Sequence, residues 1–307
     1  MLNPSLQAWL AQGQVCPVGK LDVFVVDVGP RDGKNALVLL HGFPSSSSDW
    51  RAMLPVLSRN HRVITLDFPG FGLSAKPPSY SYSLFEQADV ASIVVRELGV
   101  KAAHLVAHDV GTSIACELVA RQNRGLLPWE IQSLLLANGS LYLELAQLTV
   151  AQRILMGPLG PAFVRFSSER TFRRQIERVF GQPVPSSEID DMWLQLSYRG
   201  GIDRLPQTIG YINDRKRFQG RWLEALSDSN VPLRMVWGTV DPIAVVAIAE
   251  RLAREIPRAT LIKLEGVGHY PQVEAPSRFA NEVLRFLNGG IAEPIGRGHS
   301  NKADSVR

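Results

Sequence analysis

Short runs rich in valine, isoleucine and leucine alternate with longer segments of helical spacing along most of this chain. Such alternation is typical of a mostly parallel sheet with helices on both faces, because each parallel strand needs a long crossover back to the same edge. The sequence therefore predicts an α/β fold. The predicted core strands are 36–40, 63–67, 104–107, 131–137, 233–237 and 260–264, with an antiparallel edge strand at 21–28 and helices at 84–98 and 111–122.

The alternation stops after Asn138 and resumes only at Val231. The stretch between is helical in pattern, rich in arginine and interrupted by prolines. It predicts a helical cap at 139–230, inserted into an α/β core formed by 1–138 and 231–289. Residues 290–307 are rich in glycine, serine and charge without periodicity, so a disordered tail is expected there.

Composition limits the classes of partner. With 307 residues, of which 45% are hydrophobic, the chain can bury a large core. Its longest apolar runs are of strand length and no secretory signal is visible, so we expect a cytoplasmic protein without a membrane span. Two cysteines, Cys16 and Cys116, make no disulfide framework and are expected to be reduced.

The formal charge of +4 is mostly dispersed, which argues against a nucleic-acid partner. We expect a small, mainly hydrophobic organic substrate and water as partners, with neither nucleic acid nor membrane, and leave a homodimer open. No cofactor is expected, and no metal-ligand spacing is visible. One local excess of basic residues stands in the middle third: Arg165, Arg170, Arg173, Arg174, Arg178, Arg215, Lys216, Arg217 and Arg221.

The segment from His104 to Ser113 predicts a strand that runs through a sharp turn into a helix, as a nucleophile elbow requires. The position usually held by serine is Asp109, with small residues Ala107 and Gly111 on either side. A carboxylate at a helix N-terminus is favoured in its charged form and needs no general base to attack. An epoxide or an alkyl halide is therefore the expected electrophile. Taken alone, the short string would favour a helix-capping aspartate, and it is the context of the other motifs that favours a nucleophile.

The remaining candidate residues follow other predicted strands in the chain order that this elbow requires. Asp241 follows the strand at 233–237 and His269 the strand at 260–264, so Asp109, His269 and Asp241 are the predicted catalytic residues. The backbone N–H groups of Phe43 and Val110 are the predicted oxyanion donors. The residues expected to line the substrate pocket are His41, Phe43, Val110, Tyr142 and Tyr211, with a structural hydrogen-bonding role favoured for His41.

Several motifs resemble the epoxide-hydrolase-like branch of the α/β-hydrolases. They are HGFP at 41–44, LDFPGFGLS at 66–74, HDVG at 108–111, the pair Asp241 and Pro242, and GHYPQ at 268–272. Within that branch, FEQ at 85–87, YIN at 211–213, residues 218–222 and HYPQ at 269–272 look most like the mesoderm-specific transcript family and its bacterial relatives. The resemblance covers residues 23 to 287 and implies an Asp-His-Asp triad, an alkyl-enzyme ester and epoxide hydrolysis to a diol.

The resemblance also implies lid tyrosines that donate a hydrogen bond to the epoxide oxygen. Tyr211 matches one of them and is the candidate acid, while the second has no counterpart near residues 154–156 and Tyr142 is only a loose substitute. Haloalkane dehalogenation is the alternative, although Phe43 and Val110 offer no side-chain donor to a halide. A non-catalytic binding protein on the same fold stays open as a third class.

Overall fold

The computed structural model describes residues 3–31 and 35–289. The predicted tail at 290–307 lies outside these residues. One mixed sheet has the spatial order β1-β2-β4-β3-β5-β6-β7-β8. Its strands are β1 Gly13–Val18, β2 Leu21–Val28, β3 Asn35–Leu40, β4 Arg62–Leu66, β5 Ala102–His108, β6 Glu130–Ala137, β7 Leu233–Gly238 and β8 Thr260–Leu264.

The helices fill the connections between these strands. They are α1 Pro4–Gln12, α2 Leu54–Leu57, α3 Leu84–Glu97, α4 Val110–Gln122, α5 Val150–Met156, α6 Gly160–Arg165, α7 Glu169–Glu177, α8 Ser186–Ser197, α9 Leu205–Thr208, α10 Tyr211–Asp228, α11 Val246–Glu255, α12 Pro271–Glu274 and α13 Pro276–Leu287. Short 3-10 helices occur at Ser47–Trp50 and Tyr198–Arg204. In the described ranges, no helix combines the length and the apolar character needed to cross a bilayer.

The strand predicted at 21–28 is present as β2 and is antiparallel to β4, but it does not form the edge of the sheet. Strand β1, which the sequence analysis did not predict, pairs with β2 as a hairpin and takes the edge position. Its burial alternates only weakly and it contains Pro17, so its sequence lacks the apolar period of a core strand. From β4 onward the pairing is parallel.

Successive side chains of the central strands point to opposite faces of the sheet. In β3, Val38 and Leu40 pack with the helices α3 and α4 in one apolar cluster. Leu37 and Leu39 belong to a second cluster on the other face, which includes Phe279 of α13. This double burial explains why the central strands read as continuous apolar runs.

The chain between β6 and β7 forms the helices α5 to α10, with no strand among its described residues, and is called the helical segment below. Glu117, on α4, anchors it to the core. Its carboxylate accepts hydrogen bonds at 2.8 and 3.0 Å from Arg221 and at 3.0 Å from the indole of Trp222, both on α10. Burial alone would raise the pKa of Glu117, but these donors lower it. The helical segment is thereby attached to the helix that begins beside Asp109.

Candidate active site

Asp109 stands in a strained turn between β5 and α4, with φ 46° and ψ −107°. A non-glycine residue adopts this backbone conformation only when surrounding contacts impose it, and the conformation costs about 1–3 kcal/mol of free energy. Here the Asp109 N–H donates to the carbonyl of Ala137 at 3.1 Å, and the Gly111 N–H donates to that of His41 at 3.1 Å. A Cβ on Gly111 would lie 2.5 Å from the carbonyl oxygen of Leu40, so the turn requires glycine there.

The Asp109 carboxylate, whose residue is only 3% exposed, is held by two groups from elsewhere in the chain. The backbone N–H of Phe43, after β3, donates to its Oδ2 at 2.9 Å. The guanidinium of Arg215, on α10, donates to the main-chain carbonyl of Asp109 at 2.7 Å and lies 3.5 Å from its Oδ1. The Nε of Arg215 donates to Ser113 Oγ at 2.8 Å. A buried cation thus stands beside the candidate nucleophile.

His269 and Asp241 form a buried pair, with 2.7 Å between Nδ1 and Oδ2. The other Asp241 oxygen accepts the N–H groups of Ile243 and Ala244 at 2.7 and 3.0 Å. Asn138 donates to Asp241 Oδ2 at 2.7 Å and accepts from the Gly238 N–H at 3.0 Å, which fixes the carboxylate against the end of β7. These bonds orient the histidine through its Nδ1.

The charges of this pair shift both of its pKa values. Burial would lower the pKa of His269, but the carboxylates of Asp241 and Asp109 outweigh burial and raise it to about 9. Burial would raise the pKa of Asp241, whereas His269 and the amide of Asn138 lower it. Both shifts favour the charged forms of the pair, an imidazolium and a carboxylate, at neutral pH.

Glu274 joins the loop that carries His269 to the helical segment. Its carboxylate accepts the N–H groups of Gly268 and Tyr270 at 2.8 and 2.9 Å, and those of Gly181 and Gln182 at 2.7 and 2.9 Å. The N–H of His269 itself donates to the carbonyl of Val179 at 2.8 Å. The position of the histidine backbone thus depends on the helical segment as well as on β8.

A cavity of about 200 Å³ lies between the core and the helical segment. Asp109 and His269 line it together with Phe43. Most of its other lining is apolar and comes from the helical segment, with a few neutral polar side chains. That lining includes Leu155, Phe163, Phe166, Phe172, Ile176, Trp193, Leu196 and Leu205, and among the polar residues Thr149, Gln152, Ser167, Thr171 and Gln175. Such a lining suits a small, uncharged ligand with hydrophobic substituents.

Four of the five residues expected to line the pocket are not among the residues that line this cavity: His41, Val110, Tyr142 and Tyr211. This corrects the sequence-based assignment. Both ring nitrogens of His41 are occupied, one by the carbonyl of Gly42 at 2.8 Å and the other by the N–H of Phe68 at 3.1 Å. The side chain of Val110 packs into the apolar core around α4. The hydroxyl of Tyr142 donates to Glu255 on α11, a contact directed away from the cavity lining. Of the five expected residues, Phe43 does line the cavity.

Tyr211 begins α10 and is 3% exposed. Its ring lies 5.6 Å from that of Phe43 and beneath the guanidinium of Arg215, at 4.7 Å. Burial first, and then the charge of Asp109, raise the pKa of its hydroxyl, which contacts the side chain of Gln152. Tyr211 is therefore a neutral phenol next to the cavity, in contact with the lining residues Phe43 and Gln152.

The sequence analysis did not select Arg215, Asn138, Gln152, Glu274 or Tyr270 as site residues. Tyr270 lines the cavity next to His269, and its hydroxyl donates to the Phe43 carbonyl at 3.2 Å. Its place directly after the histidine was a usable signal. Arg215 carried no comparable signal, because it stands in a basic run where a solvated helix face is the ordinary expectation.

Comparison with known proteins identifies the family of this chain. The family model described as the α/β hydrolase fold matches residues 35–276. The Mycobacterium tuberculosis protein named "Putative hydrolase LipZ" is 41% identical over 94% of this chain and 99% of its own length. The human mesoderm-specific transcript homolog protein is 38% identical over 94% of this chain and 89% of its own.

Among solved structures, the haloalkane dehalogenase DbeA from Bradyrhizobium elkani superposes with a TM-score of 0.76 at 24% identity, covering 90% of this chain and 97% of that one. At that identity the likeness concerns the fold. The family match spans most of the chain, and the relatives cover nearly all of it. The chain belongs to the α/β-hydrolase family and is a hydrolase of that fold.

Proposed function

We propose that this hydrolase opens small, hydrophobic epoxides to diols through an ester formed on Asp109. The observation that carries the proposal is the carboxylate at the elbow, with the Phe43 N–H already donating to its Oδ2 at 2.9 Å. In a serine hydrolase such a donor would polarise the substrate's carbonyl. Here it polarises the enzyme's own carboxyl oxygen, which helps only if the carbonyl of Asp109 is itself attacked later.

In the first step, an oxygen of Asp109 attacks a ring carbon and the carbon–oxygen bond of the epoxide breaks. The released alkoxide takes a proton from Tyr211, which its raised pKa keeps in the phenol form. The Oε1 of Gln152 already accepts the N–H of Thr149 at 2.8 Å, which leaves its Nε2 to donate to the phenol oxygen. The Tyr211 proton is then available to the substrate.

In the second step, water attacks the carbonyl carbon of the ester and gives its proton to His269. The Phe43 and Val110 amides stabilise the oxyanion, the acyl–oxygen bond breaks, and the proton on His269 passes to the leaving diol oxygen. The remaining proton of the water leaves Asp109 as its carboxylate re-forms and, through His269, replaces the proton that Tyr211 gave up in the first step. The histidine must be neutral to accept the proton. Forming the ester removes the charge of Asp109, which is one of the contributions that raise the pKa of His269.

The cavity supports the substrate class. Its lining beside Asp109 is apolar and contains no charged side chain from the helical segment among the described residues. We propose that the helical segment acts as the cap predicted at 139–230, that the substrate is uncharged, and that the enzyme works in the cytoplasm. Preferential turnover of small carboxylates would contradict this assignment.

Dehalogenation is the second candidate, favoured by one observation. Trp193 lines the cavity, and an indole N–H is a suitable donor to a leaving halide. The attack by Asp109 and the hydrolysis by His269 would be unchanged. A panel of epoxides, haloalkanes and esters, tested with wild type and Asp109→Ala, separates these reactions from each other and from a binding protein without activity.

The mechanism predicts that the two half-reactions need different residues. His269→Gln should form the ester and fail to hydrolyse it, whereas Asp109→Asn should form none. Intact-protein mass spectrometry after incubation with a turned-over substrate should show a mass increase on the Asp109 peptide of His269→Gln only. In wild type turning over in heavy-oxygen water, the label should enter the Asp109 carboxylate. An adduct on Thr112 or Ser113 would overturn the proposal, since it would mean a hydroxyl nucleophile.

A further inference from the structure

The cavity opens on the surface formed by α5, α6 and α7. Phe166, directly after α6, both lines the cavity and is 82% exposed. Thr171 and Gln175, on α7, also line the cavity and are exposed. A residue that contacts both cavity and solvent marks an opening, so these three side chains define the mouth. The mouth surface is defined here as these residues with the exposed side chains beside them on α5, α6 and α7.

The mouth surface exposes large apolar side chains. Val150, at the start of α5, is 72% exposed and stands between Thr149 and Ala151, which line the cavity. Leu159, in the turn between α5 and α6, is 68% exposed. Single exposed apolar residues are ordinary, but Val150, Leu159 and Phe166 lie on or directly beside one pair of packed short helices, α5 and α6, at a cavity entrance. Such a grouping indicates a surface that is covered during function.

The same surface carries more positive than negative charge. Arg170, Arg174 and Arg178 follow one another at intervals of four along and just after α7, and all three are exposed. This spacing places them in one stripe next to Thr171 and Gln175, at the edge of the mouth. Arg153 and Arg165 are exposed on α5 and α6.

These five arginines lack carboxylate partners among the described residues, unlike Arg173, which pairs with Glu169 and Asp190. From 150 to 180 the chain has six arginines and two glutamates, with no lysine or aspartate. The net charge of the whole chain is only +4, so this short stretch contributes far more of that net charge than its share of the residues would predict. The excess is therefore a property of the mouth surface.

We propose that the mouth surface docks on an anionic lipid membrane. Apolar side chains that enter the interface, surrounded by arginines, are the combination by which peripheral proteins bind acidic lipid. An acidic protein partner would match the arginines but would leave no reason for a Phe ring exposed at the rim of an apolar cavity. The proposal replaces the sequence-based expectation that no membrane is involved.

Docking in this orientation gives the cavity a direct connection to the lipid. A hydrophobic substrate dissolved in the membrane would enter past Phe166 without crossing water, which fits the apolar lining beyond it. The docking surface is independent of the reaction proposed for Asp109. Vesicle binding can therefore succeed or fail whatever substrate the enzyme turns over.

The test is co-sedimentation of the full chain with vesicles of phosphatidylcholine alone and with about one third phosphatidylglycerol or phosphatidylserine. Wild type should bind the anionic vesicles, more weakly as salt is raised, and the neutral vesicles poorly. Arg170→Glu with Arg174→Glu should weaken partition by about 30-fold or more, since each arginine near an anionic surface contributes about fivefold. Phe166→Ser should weaken it about tenfold.

Matched controls lie away from the mouth surface: Arg59 is exposed in the turn before β4, and Arg124 and Leu126 follow α4. Arg124 follows the C-terminus of this helix, about 20 Å from Asp109 along a helix of this length, and Leu126 is as exposed as Leu159. Arg59→Glu with Arg124→Glu, and separately Leu126→Ser, should leave vesicle binding within about twofold of wild type. Circular dichroism should show all variants folded, because every substituted residue is exposed.

Equal binding to neutral and anionic vesicles, or equal losses in the mouth and control variants, would overturn the proposal. So would wild type that ignores vesicles but binds polyglutamate through the same arginines, because the partner would then be an acidic polypeptide.

Discussion

Arg215 offers the sharpest test of how the candidate nucleophile is held. Its guanidinium lies 3.5 Å from Asp109 Oδ1, and the residue is 2% exposed. At that distance, an effective dielectric constant of about 20 gives an attraction of about 5 kcal/mol, and the desolvation of both charges offsets part of it. Arg215→Met removes the cation but keeps much of the volume. We expect it to lower the free energy of unfolding by about 3–5 kcal/mol, as when one partner of a buried ion pair is removed.

A double-mutant cycle isolates the charge interaction. In an Asp109→Asn background the carboxylate is absent, so Arg215→Met removes only the hydrogen bonds of Arg215 to the residue-109 carbonyl and to Ser113. The free energy of unfolding should then fall by only about 1–3 kcal/mol. The coupling energy should therefore be about 2 kcal/mol. Urea unfolding of the four proteins, with a common m-value, measures it.

Arg217→Met is the matched control, since Arg217 lies exposed on the same helix over the ring of Phe218. It should change stability by less than about 0.5 kcal/mol and show no coupling to Asp109. A coupling below about 0.5 kcal/mol between Arg215 and Asp109 would refute the reasoning, because the two charges would then not interact in the folded chain.

Three further predictions concern neighbouring groups. Because the folded pKa of His269 is about 9, above its unfolded value near 6.5, its charge stabilises the fold fully below about pH 6.5 and this contribution is lost as pH rises through 9. The stability difference between wild type and His269→Gln, measured by urea unfolding, should shrink by on the order of 3 kcal/mol from about pH 6 to about pH 10, and a constant difference would contradict the raised pKa. Tyr211→Phe should slow ester formation about a hundredfold or more in stopped-flow epoxide assays, with Tyr142→Phe near wild type, and an unchanged rate would remove Tyr211 from the mechanism. Glu274→Gln replaces a carboxylate oxygen by an amide group that donates, and this group faces the backbone N–H donors that Glu274 accepts. The variant should therefore lower the free energy of unfolding by about 1–3 kcal/mol and lower kcat, whereas Glu265→Gln, at an exposed position, should change neither. Equal effects of the two substitutions would contradict the role of Glu274 in positioning the His269 loop.

The central sheet could be predicted because its strands are buried on both faces. Strands β3 to β8 fall within two residues of the predicted ranges, since continuous Val, Ile and Leu runs bounded by polar turns leave few other readings. Strand β1 was missed for the converse reason. It is an edge strand with half of its residues exposed, and hairpin pairing with β2 rather than its own pattern makes it a strand.

Some residues of the candidate site could likewise be predicted from local sequence patterns, and others could not. Asp109, Asp241 and His269 could be selected because each follows a recognisable strand, and parallel strands place their C-terminal ends at one edge of the sheet. Arg215 and Glu274 act through contacts that no local pattern records. Arg215 reaches Asp109 from α10, 106 residues later, and its burial depends on how α10 packs against α4.

These contacts also connect the two steps of the proposed mechanism. In the resting protein, the guanidinium of Arg215 lies 3.5 Å from the Asp109 carboxylate, and the charge of that carboxylate helps to raise the pKa of His269. Alkylation neutralises Asp109 and leaves the two cations, the guanidinium and the imidazolium, without that negative charge. Of these, only the imidazole has a pKa close enough to neutrality to lose its proton, because a guanidinium stays charged in proteins. The imidazolium proton passes to the Tyr211 phenolate that the first step leaves, which creates the neutral histidine that the second step needs. Hydrolysis then restores the Asp109 carboxylate, and the remaining proton of the water returns to His269.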